Sequence, residues 1–296
     1  MNQPIRRVLL IVNPASRRGA KLRDKALRAF ADAEVECELM ATHAPGHAAE
    51  LAGAHHASYD AIFTLGGDGT AMEVIGVAAQ NGPPVGVLAG GTANIIARTL
   101  GVPLDPRRAI PRLLRGEVAR IDLGRLDNGQ RFAIGMGVGL DSSMIAGAPA
   151  RLKERFGFFA YIISGYRAVL KLEKFDLRLT VDGEVFERRA SAVLIANFGT
   201  VLNDFVGFGD GILRDDGLLN ACIFAPDNLW DAVRILWRMV RKRFDPDPCL
   251  FYRAGKEFLI ETTPARQAQA DGELLAHTPH SVTVEPLAAR LLIPLR

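Results

Sequence analysis

The residues Phe63-Thr64-Leu65-Gly66-Gly67-Asp68-Gly69-Thr70 run an apolar strand straight into two glycines, a carboxylate, a third glycine and a hydroxyl. Glycines accept positive φ and remove the Cβ atoms that would hold a polyanion off backbone N–H groups. A helix expected from Ala71 through Glu73 to Ala79 adds an N-terminal dipole that also favours anions. Asp68 would repel such a ligand unless a cation lies between them, so the turn points to a metal–nucleotide complex.

Leu88-Ala89-Gly90-Gly91-Thr92-Ala93-Asn94 repeats the pattern, with Asn94 at an expected helix N-cap and Arg98 one turn on. Asn13, Pro14, Ser16 and Arg17 follow a third aliphatic run. One glycine turn is usually structural, but three anion-seeking loops in register define a phosphate site. The chain has no G-x-x-x-x-G-K-[ST] sequence and no dinucleotide spacing, and Gly135, Gly137 and Gly139 read as a bulge or tight corner.

These loops need strand ends to hold them. Val8–Val12, Val35–Ala41, Ala61–Leu65 and Val85–Leu88 read as apolar strands, each followed by a helical stretch. That alternation predicts an α/β fold with a doubly wound, mostly parallel sheet over residues 1–120, its functional loops at the carboxyl ends of the strands. From residue 121 to 296 the texture changes to short strands separated by turns such as Asp127-Asn128-Gly129 and Asp182-Gly183. This predicts an antiparallel β-sandwich domain whose last strand can return to the first domain. Helices are expected over 150–171 and 228–244.

The 296 residues, 49% of them hydrophobic, suffice for two cores. A net charge of +3 from 36 basic and 33 acidic residues calls for no nucleic-acid partner. Cys37, Cys222 and Cys249 form neither a disulfide framework nor a zinc pattern, which fits a reducing cytoplasm. His43 and His47 lack a third ligand nearby and read as non-metal residues. No signal peptide or bilayer span is expected.

In order, Asn-Pro-x-Ser at 13–16, Gly-Gly-Asp-Gly-Thr at 66–70, Gly-Thr-Ala-Asn at 91–94, Asp215-Asp216-Gly217-Leu218 and Asp271-Gly272-Glu273 resemble the motifs of the diacylglycerol kinase catalytic-domain family. The resemblance spans essentially the whole chain and is greatest to the soluble bacterial lipid kinases related to sphingosine and ceramide kinases. It implies an ATP- and Mg2+-dependent lipid kinase with its reaction in the cleft between the domains. On this reading Asn13, Pro14, Ser16, Thr42, Gly66, Gly67, Asp68, Gly69, Thr70, Glu73, Gly91, Thr92 and Asn94 contact the nucleotide. Leu213 and Leu218 offer backbone oxygens, and Asp216 its carboxylate, to the metal. Asp271 or Glu273 is the base that takes the lipid hydroxyl proton, and Asp68 faces the metal–ATP complex. The chain departs from the family at Met72, where Asn is frequent, and at Ile95, where Asp is frequent.

The resemblance implies a lipid substrate, of diacylglycerol, sphingoid-base, ceramide or phosphatidylglycerol type. Cytoplasmic residence with peripheral contact at the inner face of the membrane is expected, and a homodimer is left open. Two rivals stand beside the lipid kinase: an NAD kinase, which shares the Gly-Gly-Asp-Gly-Thr turn, and a catalytically silent lipid- or nucleotide-binding module. Leu229, Trp230, Val233, Leu236, Trp237 and Val240 share one face of a helix whose arginines lie largely elsewhere. Both an interfacial helix and an ordinary helix packed on the sandwich fit this pattern. Phe156–Ile163 reads equally as acyl-pocket lining or a core helix.

Overall fold

The computed structural model describes residues 4–79, 82–92, 94–139, 174–201, 206–245 and 247–295. The helix expected over 150–171, with its apolar run 156–163, lies outside these residues. The chain divides into two compact units, one formed chiefly by residues up to Leu123 together with those from Glu285 onward, the other mostly by Gly124–Val284.

The first unit is α/β. Its strands β1 (Arg7–Val12), β2 (Glu36–Ala41), β3 (Ala61–Gly66) and β4 (Val85–Ala89) form a parallel sheet in the order β2-β1-β3-β4. Val8–Val12, Ala61–Gly66 and Val85–Ala89 are buried throughout, as strands covered on both faces must be. Helix α1 (Gly19–Asp32) buries Leu22, Ala26, Ala29 and Phe30, a stripe at helical spacing, and Phe30 meets Phe63 edge-on at 4.9 Å. Helices α2 (His47–His55), α3 (Asp68–Ala78), α4 (Ile95–Thr99) and α5 (Pro106–Leu114) complete the unit. The sequence reading did not anticipate α5, although Asp105 caps it by accepting the Arg107 N–H and Pro106 occupies the first turn.

The long strand β5 (Glu117–Leu126) carries the chain into the second unit, where it pairs with β6 (Arg131–Phe132). There follow β7 (Gly135–Val138), β8 (Phe175–Val181), β9 (Glu184–Ala190), β10 (Ala192–Ala196), the short β11 (Thr200–Val201) and β12 (Val206–Gly207), and β13 (Leu219–Phe224). Helix α6 (Leu229–Arg241), β14 (Leu250–Gly255), β15 (Glu257–Thr263), β16 (Gln267–Ala270), β17 (Glu273–His277) and β18 (His280–Ile293) end the chain. One antiparallel sheet runs β14-β13-β10-β7-β16-β17; in the other, β15 pairs with β8 and with the first half of β18. Phe175, Leu177 and Leu179 from one sheet and Val193, Ile195 and Ile223 from the other share a single buried cluster, which makes the unit a sandwich. The second half of β18 belongs to the first unit, where Leu291 lies parallel to Val85 of β4.

Candidate active site

Hydrogen bonds tie three loops of the first unit together at the carboxyl ends of β1, β3 and β4. The Asn13 side-chain amide donates to Thr70 Oγ1 at 3.1 Å, the Arg18 N–H donates to the Gly90 carbonyl at 2.8 Å, and the Gly90 N–H donates to the Gly66 carbonyl at 2.8 Å. The approach is too close for side chains. A Cβ on Gly91 would stand 2.6 Å from Gly67 Cα, and one on Gly66 would stand 2.7 Å from Thr70 Cβ. Gly19, which the sequence reading passed over, is held as tightly, since its Cβ would stand 2.2 Å from the Asn13 carbonyl oxygen. Ser16 Oγ donates to that carbonyl at 2.7 Å and accepts from the Gly19 N–H at 3.1 Å. Asn-Pro-x-Ser-x-x-Gly is therefore one folded corner.

Helix α3 begins at Asp68, three residues earlier than expected, so Asp68, Gly69 and Thr70 form its first turn. Asp68 Oδ1 accepts the Ile96 N–H at 2.9 Å and thereby links the β3 loop to α4. Burial raises its carboxyl above the ordinary range, while the N–H groups of Ile96, Ile95, Asn94 and Asp68 itself oppose that rise. Asn94 takes the left-handed conformation at φ 50° and is buried. Its side chain closes a ring on Gly91, accepting that residue's N–H at 2.8 Å and donating to its carbonyl at 2.9 Å. Thr92 is exposed beside it, and Thr42 is buried directly after β2, its N–H donating to the Val12 carbonyl.

Glu73 has a structural use: its two oxygens accept the N–H groups of Gly46 and Ala48, each at 3.0 Å, at the start of α2. At the departure from the family pattern, Ile95 is the first residue of α4, where Asp68 meets backbone N–H groups instead of a second carboxylate. The rings of His43 and His47 lie 3.7 Å apart. Among the described residues no group of three or more His, Cys, Asp or Glu side chains could hold a metal.

In the second unit, the segment 213–218 bends ahead of β13. Asp216 is exposed and its Oδ1 accepts the Leu218 N–H at 3.0 Å, Gly217 has φ +76°, and Leu213 is 55% exposed. One carboxylate on an exposed bend suits a hard, oxygen-seeking cation such as Mg2+ that keeps much of its water. Asp271 and Gly272, at φ +46° and +91°, form the two-residue turn joining β16 to β17. The Asp271 carboxylate accepts three backbone N–H groups, from Ala133 at 2.6 Å and from Ile134 and Gly135 at 3.0 Å. These contacts separate β6 from β7, because N–H groups that would join a ladder turn to Asp271 instead. Glu273 is exposed at the start of β17 and accepts a long hydrogen bond, 3.4 Å, from Gln130.

The chain thus carries a parallel α/β unit with glycine loops closed on one another and a β-sandwich unit bearing a carboxylate turn. The family model described as the diacylglycerol kinase catalytic domain matches residues 7–126, and the one described as the YegS C-terminal NAD kinase beta sandwich-like domain matches 135–293. A diacylglycerol kinase of Staphylococcus aureus (strain NCTC 8325 / PS 47) is 31% identical over 277 residues, spanning 90% of this chain and 86% of the relative. A solved Bacillus anthracis str. Sterne structure superposes with a TM-score of 0.82 at 26% identity, covering 99% of this chain and 97% of that one. A second, described as a diacylglycerol kinase from the same strain, has a TM-score of 0.77 at 24% identity, with 98% of each chain covered. The chain belongs to the diacylglycerol kinase catalytic-domain family.

Proposed function

We propose that this protein is an ATP- and Mg2+-dependent lipid kinase that transfers the γ-phosphoryl group to a lipid hydroxyl. The observation that carries the reading is the hydrogen-bonded closure of the loops at Asn13–Gly19, Gly66–Thr70 and Gly90–Asn94, which leaves a glycine-lined edge where a Cβ would collide with backbone. When bound, ATP supplies the phosphoryl group and Mg2+ neutralises its oxygens. Gly66, Gly67, Gly69, Thr70, Gly91 and Thr92, with Asn13 and Ser16, hold and orient the phosphates. Asp216 and the carbonyls of Leu213 and Leu218 would hold a metal ion.

The lipid oxygen forms the new bond to phosphorus as the bond to the ADP oxygen breaks, and its proton passes to a carboxylate of the Asp271–Glu273 segment. The name borne by the relatives supports diacylglycerol as the first substrate to test, ahead of a sphingoid base, ceramide or phosphatidylglycerol.

The test incubates the purified protein with labelled ATP, Mg2+ and each of these lipids in mixed micelles, with NAD as a separate arm. A labelled lipid is expected. Labelled NAD phosphate would reassign the protein to the nucleotide kinases, and ATP binding with no product on any acceptor would make it a silent binding module.

A further inference from the structure

We propose that helix α6 docks the protein on an anionic membrane surface, with Trp230, Val233 and Trp237 entering the acyl boundary and Arg241, Lys242 and Arg243 meeting the lipid phosphates. This extends the lipid-kinase reading, and its test does not depend on turnover.

The helix is well delimited: Asn228 Oδ1 accepts the Asp231 N–H at 3.0 Å at one end, and Lys242 in the left-handed conformation closes the other. Its inner side buries Ala232 and Ile235, and Ile235 packs with Met239 against Cys249, Leu250 and Tyr252. At about 100° per residue, the apolar positions extend past this buried side for roughly another 100°, through Val240, Val233, Trp237 and Trp230. A helix serving only to cover the sandwich would have no need of that second stripe. Yet Trp230 is 79% exposed and Trp237 58% exposed.

The cations fall into two groups. Arg234 pairs with Asp231 at 3.1 Å and Asp247 at 3.2 Å, and Arg238 approaches Asp247 at 3.7 Å, so both brace the helix against its own unit. Arg241, Lys242 and Arg243 have no carboxylate within ion-pair distance among the described residues. The Arg241 guanidinium lies over the Trp237 ring at 4.6 Å. Indole rings flanked by unneutralised cations match the headgroup layer of an anionic bilayer, where the ring takes the boundary and the charge takes the phosphate. The helix also leads directly into functional ground. Lys242–Asp245 line a cavity of about 950 Å3 whose lining includes Ile212–Asp215, among them Leu213 of the segment proposed to hold the metal.

Trp230 and Trp237 are the chain's 2 tryptophans, so tryptophan emission excited above the tyrosine band reports on this helix alone. Vesicles containing phosphatidylglycerol are expected to shift the emission to the blue and shield it from acrylamide, and high salt is expected to reverse both effects. Pure phosphatidylcholine vesicles are expected to do neither. In co-sedimentation, Arg241→Gln/Lys242→Gln/Arg243→Gln should lower partition onto anionic vesicles roughly a hundredfold. Trp230→Ser/Trp237→Ser should lower it at least about tenfold, with the far-ultraviolet circular dichroism unchanged because these side chains are exposed. Unchanged wild-type emission, or either variant sedimenting like wild type, overturns the proposal. Shielding that appears with protein concentration alone overturns it in favour of self-association. A protein that phosphorylates lipid in micelles yet fails these tests keeps its kinase assignment and loses only the docking surface.

Discussion

Replacing Asp68 by Asn separates two roles that the structure superimposes on one carboxylate. Asp68 Oδ1 accepts the Ile96 N–H at 2.9 Å, and an Asn oxygen can accept the same bond. The first turn of α3 favours a negative charge by about 0.3–1 kcal/mol, but burial is the larger influence, because the carboxyl is held above its ordinary value. The sign follows. A carboxyl raised in the fold contributes stability that is full below the unfolded value of about 3.9 and is lost as pH rises through the folded value. Asn stays neutral throughout, so the variant's stability relative to wild type should rise with pH as the wild-type carboxyl ionises in the fold. Urea denaturation at pH 7 should place Asp68→Asn at least level with wild type. Asp68→Ala, which strands the Ile96 N–H, should lose about 1–3 kcal/mol. Turnover of Asp68→Asn should nonetheless fall roughly 10²–10³-fold, about 3–4 kcal/mol in the barrier, if the charge serves the metal–phosphate centre. Near-normal turnover removes Asp68 from the chemistry, and a loss of stability above about 2 kcal/mol makes it a structural anchor instead.

Asp271→Ala should lower stability by about 3 kcal/mol or more in urea, since three N–H groups lose their acceptor. Glu273→Gln should leave stability within about 0.5 kcal/mol, so any fall in kcat there reports proton transfer rather than unfolding. Gly91→Ala should weaken ATP binding at least about tenfold by calorimetry, because its Cβ would press on Gly67 Cα at 2.6 Å and part the two loops. Glu73→Ala should lose about 1–3 kcal/mol in urea by stripping the N-terminus of α2, and a change of more than about twofold in the KM for ATP would mark Glu73 as a nucleotide contact as well.

The α/β unit was legible because fully buried strands such as Val8–Val12 leave continuous aliphatic runs, and the helices between them carry period-3.6 stripes. Helix α5 was missed although Asp105-Pro106 signals its start, because Pro111 inside it resembles a breaker. Strands β9 and β14 were missed for another reason. Glu184–Ala190 carries too many charges to stand out, and Leu250–Gly255 is a short run broken by Arg253 and ended by Gly255.

At the site, glycine spacing exposed the closely packed loops, but not that Asp68 caps α4 or that Glu73 caps α2. Those partners lie 28 and about 25 residues away, and sequence gives no distance. The Asp-Gly turns show the limit most plainly. Asp182-Gly183 has the same positive-φ pair as Asp271-Gly272, and Asp182 Oδ1 likewise accepts two backbone N–H groups, from Lys256 at 2.9 Å and Glu257 at 2.8 Å. Clamping a turn is thus common work for an Asp here, and only the company of Glu273 and the wider motif marks the turn at 271.

The pairing of Leu291 with Val85 gives the α/β unit a history as well as a shape. A ribosome that has released the first four parallel strands must still make roughly 160 residues of the other unit before the closing strand emerges. At typical synthesis rates that interval lasts roughly ten to thirty seconds, during which the β4 edge waits without its partner. The α/β half, though its chain begins first, is therefore completed last, after the sandwich sequence has been translated.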